Sequence, residues 1–215
     1  MKLYYYDHCP FCVRTLMLAH YKNIDVEKNI LQNDDVETCM RLINSKQVPI
    51  LEFDDKTAIA ESLEIAHIFD EIGTKSQSVL PQTDKEKIIT SHIFSASKSI
   101  YALLFPRNVK AGLPEFSTQS AINYFQTKKE KLLGMTFDEA IKQTQIHKKS
   151  VEKMLKTLPN LPEKKENLKW DDVMIFPHLR NLTIVKDLYI PETVKDYIEH
   201  ISHLTNVHLY FDRAL

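Results

Sequence analysis

Apolar positions in the first part of the chain alternate between two spacings. Leu3-Tyr4-Tyr5-Tyr6 is a continuous run of strand length, and Val13, Leu16, Met17 and His20 follow at i, i+3, i+4 and i+7, the spacing of one helix face. Residues 24 to 31 read as a second strand, with the imperfect alternation of a sheet edge. Val36, Cys39, Met40 and Ile43 return to helical spacing. The stretch 47 to 53 is a short apolar strand with Pro49 at its entrance. Asp54-Asp55-Lys56 is a polar turn, and 57 to 60 come back as a hairpin partner. Ile65, Ile68, Phe69 and Ile72 mark a third helix, which Ser62 is placed to cap and Gly73 to stop. This order predicts an α/β domain over residues 1–73, with a mixed four-stranded sheet and three helices.

Residues 74–82 are polar, lack periodicity and contain Pro81, so they are expected to form a linker. Only helical spacing follows, which predicts an all-helical domain over 83–215. Thr83 and Glu86 have capping-box spacing and open a long helix carrying Ile89, Ile93, Ile100 and Leu104, ended by Pro106 and Gly112. A second helix is expected from near Ser117 to Gly134. Thr136 and Glu139 form another capping box, opening a helix that continues to about Leu158. After a charged, proline-containing loop, Asp171 or Asp172 caps a helix with Pro177 inside it, and Pro191 opens the last one.

Composition narrows the function classes. With 43% hydrophobic and 27% charged residues and a net charge of −1, neither nucleic acid nor an anionic membrane is the expected partner. The cluster Lys128-Lys129-Glu130-Lys131 reads as a solvated helix face. No apolar stretch approaches the length of a membrane span, and the first strand begins without a signal peptide. Three cysteines are too few for a secreted disulfide framework, which favours a reducing cytoplasm. The three glycines fall at helix ends, so a glycine-rich phosphate loop, and with it a nucleotide cofactor, is not expected.

The chemistry concentrates in Cys9-Pro10-Phe11-Cys12, at the junction of the first strand and first helix. Pro10 suits the first helical turn, where its missing N–H is no loss. Unpaired N–H donors and the positive end of the helix dipole would favour a thiolate at Cys9. An ordinary cysteine is only ~3% ionised at pH 7, and lowering its pKa to about 5 requires roughly 4.8 kcal/mol. The dipole supplies about 1–2 kcal/mol, leaving the remainder to hydrogen bonds from the Phe11 and Cys12 N–H groups and the Cys12 S–H. Cys9 is then the nucleophile and Cys12 the resolving thiol. A zinc half-site and a pair of structural thiols are the competing readings. Zinc would need a second ligand pair, which neither Cys39 nor any histidine provides. Cys39 lies on an apolar helical stripe and reads as a core residue.

Strand–C-x-x-C–helix in this element order fits a thioredoxin-like fold. The motifs Tyr6-Asp7-His8-Cys9-Pro10-Phe11-Cys12, Lys46-Gln47-Val48-Pro49-Ile50-Leu51 and Glu61-Ser62 resemble the glutaredoxins, and in particular the larger two-domain bacterial glutaredoxin 2 type. The second domain of that type is helical and similar to that of glutathione transferases. The segment from Asp171 to Thr183 resembles that domain, so the likeness covers nearly the whole chain. It implies a glutathione-dependent thiol–disulfide oxidoreductase, with glutathione as reductant and co-substrate, disulfide-containing or glutathionylated proteins as partners, and a monomer. It also implies a cis Val48–Pro49 bond. The Val48 backbone would pair with the cysteinyl part of glutathione, Glu61 and Ser62 would receive its γ-glutamyl end, and Phe11 and Gln47 would line the groove. Many small glutaredoxins carry a lysine or arginine where Asp7 stands, so recognition of the glycine carboxylate does not carry over. His8 is open between an assisting charge and a solvent-facing loop residue. Two other functions fit the same plan: a glutathione transferase that conjugates electrophiles, and a non-enzymatic interaction module. The intact C-x-x-C favours the oxidoreductase. No catalytic constellation is legible in the helical half.

Overall fold

The computed structural model describes residues 1–215. The chain begins β1 (Lys2–Tyr5), α1 (Pro10–Tyr21), β2 (Glu27–Ile30), α2 (Val36–Ile43), β3 (Ile50–Glu52), β4 (Ala58–Ile59) and α3 (Ser62–Ile72). The strands form one mixed sheet in the order β2-β1-β3-β4. β1 is parallel to β2 and antiparallel to β3, and Leu3 stands opposite both Lys28 and Leu51. The α/β expectation of four strands and three helices is met. One local reading fails. Ser62 is the first residue of α3 rather than its cap; Glu61 holds the cap position and makes no side-chain capping bond.

The rest of the chain is helical: α4 (Lys85–Phe94), α5 (Ser97–Asn108), α6 (Gln119–Leu133), α7 (Phe137–Lys142), α8 (Thr144–Lys156), α9 (Trp170–Leu182) and α10 (Glu192–Thr205), with short 3-10 turns at Pro114–Phe116 and Phe211–Arg213. The Thr136–Glu139 capping box forms as read. The Thr83–Glu86 box does not, because Thr83 gives its hydroxyl and its N–H to the Asp171 carboxylate. Asp171 is therefore a tie between helices, not a cap; Lys169 holds the cap position of α9. Asp172 accepts from the Lys169 N–H and from the Tyr197 hydroxyl of α10.

Two helices expected to be continuous are broken. α4 and α5 meet at 70°. There the Ser95 hydroxyl bonds back to the His92 carbonyl, competing with the helical ladder. Pro106 lies inside α5 instead of ending it. The chain also turns at Gln143, between α7 and α8.

Helix α1 organises the whole. The sequence gives it a single apolar stripe, yet it is buried nearly all round, Arg14 and Thr15 included. It packs on α3 on one side and on α9 and α10 on the other. One continuous apolar cluster runs from Leu3 through Met17 and Phe69 to Phe176 and Tyr210, so the two halves share a core. The stretch between α3 and α4 is stitched to both. Lys22 reaches Asp70 and the Gln77 carbonyl at 2.8 Å each, and Leu80 pairs with the strand-like segment before α9. Cys39 sits, as read, in a small apolar cluster with Tyr6, Leu31 and Ile50.

Candidate active site

Cys9 takes the cap position of α1 in an extended conformation, with Pro10 opening the helix. The sulfur of Cys12 accepts a hydrogen bond from the Tyr6 N–H at 3.5 Å and is fully buried, while Cys9 is half-buried; neither is bridged. The two thiols are pushed apart. A hydrogen bond from the Cys12 thiol, and then the charge of His8 and the Cys12 and Phe11 N–H groups, outweigh burial and bring the Cys9 pKa down to about 7. Burial, followed by hydrogen bonding to Cys9 and its charge, raises that of Cys12 well above the ordinary thiol value. The two ionisations diverge in the direction expected for a helix-start thiol and a buried one, and the Cys9 value stays above about 5. Desolvation of a sulfur at the junction of the two halves opposes the helix-end donors.

Beside Cys9 a cavity of about 420 Å³ opens between the halves. Phe11, Gln47 and Val48 line it together with Cys9. Pro49 is buried behind them, and the Val48–Pro49 bond is cis. Neither the Val48 N–H nor its carbonyl pairs with another backbone group, leaving a free strand edge at the cavity wall. Glu61 and Ser62 do not line this cavity. They stand at the start of α3, where the first-turn N–H groups of Ser62, Leu63 and Glu64 have no backbone acceptor, a ready anion position.

The far wall comes from the helical half, where sequence reading found no site. Tyr101 and Phe105 of α5 and Phe125, Lys128 and Lys129 of α6 face the cavity, and no carboxylate lines it. Lys128 and Lys129 are thus not simply a solvated face. The Lys129 ammonium lies 4.9 Å from the Phe105 ring centroid and 5.5 Å from that of Phe125, within cation–π range. Burial lowers its pKa while the Cys9 charge raises it. The spacing of Phe125 and Lys129, one helical turn apart, was the one local signal for this.

The loop before Cys9 is also held by the helical half. Arg180 of α9 donates to the Asp7 carbonyl and to Asp7 Oδ1, at 2.8 Å each, and Asn181 donates to the His8 carbonyl at 2.8 Å. Asp7 is therefore committed to Arg180 at the junction of the halves. The solvent-facing reading of His8 is overturned. Its ring is 13% exposed, stacks on Tyr6 and meets Glu115 of the Pro114–Phe116 turn.

The family model described as glutaredoxin 2, C terminal domain, matches residues 89–214, and that of the glutathione S-transferase N-terminal domain matches residues 8–72. Glutaredoxin 2 of Escherichia coli (strain K12) is 36% identical over 219 residues, covering 100% of each chain. The crystal structure of glutaredoxin 2 from Salmonella typhimurium in complex with glutathione superposes with a TM-score of 0.87 at 36% identity, covering 100% of this chain and 98% of that one. Glutathione transferase GSTFuA3 from Phanerochaete chrysosporium, at 12% identity, shares the fold, with a TM-score of 0.70 over 94% of this chain and 96% of that one.

Proposed function

The chain belongs to the glutaredoxin 2 family, and from that premise we propose how its residues perform the chemistry. It is a glutathione-dependent thiol oxidoreductase. The observation that carries the residue assignment is geometric: Cys9 caps α1 half-buried on the cavity wall, while Cys12 lies fully buried behind it, and the two ionisations are shifted in opposite directions. The Cys9 thiolate attacks one sulfur of a target disulfide. A Cys9–target S–S bond forms, the original S–S bond breaks, and the departing sulfur leaves as a thiolate. The Cys12 sulfur, losing its proton, then attacks Cys9, closing Cys9–Cys12 and releasing the reduced target. Two glutathione molecules return the pair to dithiol through a Cys9–glutathione mixed disulfide, leaving as oxidised glutathione. On a glutathionylated protein the Cys9 thiolate attacks the glutathione sulfur and the protein leaves as its thiolate; a second glutathione thiolate then attacks the mixed disulfide, freeing Cys9 and leaving as oxidised glutathione. A pKa near ambient pH favours Cys9 as attacking thiol and as leaving group.

Glutathione is read as lying along the free Val48 edge beside Pro49, between Phe11 and Gln47, with its γ-glutamyl carboxylate toward Glu61 and Ser62 at the start of α3. Protein disulfides and glutathionylated proteins are the second substrates. The chain is read as a monomer acting in the cytoplasm, where a reducing thiol pool returns the Cys9–Cys12 pair to dithiol. It divides into 1–73 and 83–215, joined by 74–82. No single helix is long and apolar enough to cross a membrane.

Hydroxyethyl disulfide reduction with glutathione tests the reading. Cys9→Ser should abolish it, while Cys12→Ser should keep removal of glutathione from a glutathionylated protein and lose reduction of protein disulfides. Equal loss of both activities in Cys12→Ser would overturn the assigned order. Conjugation of chlorodinitrobenzene without disulfide reduction would favour a transferase instead.

A further inference from the structure

Glu115, in the helical half, has a fully buried side chain. Its Oε1 accepts from the His8 N–H at 2.9 Å and lies 2.6 Å from His8 Nδ1. Its Oε2 is buried with no partner. A carboxylate placed this way is costly unless a donor group answers it, and His8 supplies both donors. The ring cannot swing away easily. Besides Tyr6 at 5.7 Å, Phe116 packs on it at 5.1 Å and the edge of Phe125 at 5.3 Å.

We propose that Glu115 is a positioning residue for the thiol chemistry: it fixes the His8 imidazole, which lines the same cavity as Cys9, so that the ring when protonated acts on the reacting sulfur. The charge of His8 is among the causes that bring the Cys9 pKa down. The charge of Glu115 is among those that keep the Cys12 proton on. One carboxylate thus separates the two sulfurs, indirectly at Cys9 and directly at Cys12. The other charged groups about this point are Arg14 and Lys129, both acted on by the Cys9 charge, Lys46 and Lys128, which line the same cavity, and the Asp7–Arg180 pair across the loop. Tyr6 faces the ring with its phenol. Of all these, only Glu115 forms a hydrogen-bonded pair with the His8 side chain. The helical half thereby reaches the reacting atom as well as the substrate cavity. The inference rests on Cys9 being the nucleophile, so its test avoids glutathione.

The test is the iodoacetamide alkylation rate from pH 5 to pH 10, with the modified residue identified by mass, in the full chain and in Glu115→Gln, His8→Gln and the double variant. Glu115→Gln keeps an acceptor for both His8 donors but removes the charge. The Cys9 midpoint should rise by about half to one pH unit. The rate at pH 6 then falls about threefold to tenfold, while the rate above both midpoints is unchanged. His8→Gln should give the same rise, and the double variant no further one. An unmoved or lowered midpoint in Glu115→Gln overturns the proposal, as does a loss of equal size at every pH. Additive shifts in the double variant overturn the route through His8. If Glu115→Gln does not fold, the His8→Gln profile decides, and an unmoved midpoint there is fatal. Alkylation at a sulfur other than Cys9 in the unaltered chain would instead refute the nucleophile assignment.

Discussion

Replacing Arg180 by methionine tests how firmly the helical half holds the loop before Cys9. The guanidinium is fully buried, lies over the Tyr210 ring at 4.1 Å, and donates at 2.8 Å to four acceptors: the His208 carbonyl, the Asp7 carbonyl, the Tyr210 hydroxyl and Asp7 Oδ1. Methionine keeps most of the apolar stem and removes every donor. Breaking a buried ionic group by deleting one partner costs about 3–5 kcal/mol. Asp7 is 26% exposed and can recover water, which places this case at about 3 kcal/mol. The chain carries one tryptophan, Trp170, packed on His67 at 4.1 Å, so its fluorescence reports on the junction of the halves. In urea, with a slope on the order of 3 kcal/mol per molar, the midpoint should fall by about 1 M. A change within about 0.5 kcal/mol at an unchanged slope would show that the buried network holds nothing.

Acid should weaken the fold through His178. Burial, and then the Arg14 charge, lower its pKa from 6.5 to about 4. Between these values the unfolded chain binds the proton and the folded one does not, so stability falls as pH drops through that window, by about 3 kcal/mol in all. His20 and His147, also lowered by burial, act in the same direction. His178→Phe should flatten the fall in unfolding free energy between pH 6.5 and 4; an unaltered slope would exclude this histidine. At the start of α3, Ser62→Ala should raise the KM for glutathione about threefold to tenfold and leave iodoacetamide alkylation of Cys9 unchanged. An unmoved KM would place the γ-glutamyl end elsewhere.

What was legible in the sequence was what neighbours decide. Cys9-Pro10-Phe11-Cys12 declares its helix start because the proline and the donors lie within one turn. The Thr136–Glu139 box closes over three residues for the same reason. The failures have distant causes. Thr83 has the right spacing to Glu86, but its partner is Asp171, 88 residues on. Asp7 looked like a departure from a charge pattern at the groove, whereas Arg180, 173 residues away, claims it. His8 could not be placed without Glu115, 107 residues further along. The second wall of the cavity was missed because Lys129 in a charged run and Phe105 in an apolar one look like surface and core until α5 and α6 are set against Cys9.

Helix α1, covered on opposite flanks, makes the molecule inseparable. A chain cut after α3 would bare to water the side of α1 that α9 and α10 conceal, and such a fragment should clump rather than circulate as a small reductase. Recombination between genes could exchange loops at the cavity mouth, but it could not detach the helical portion without unmaking the helix that presents the reactive cysteine.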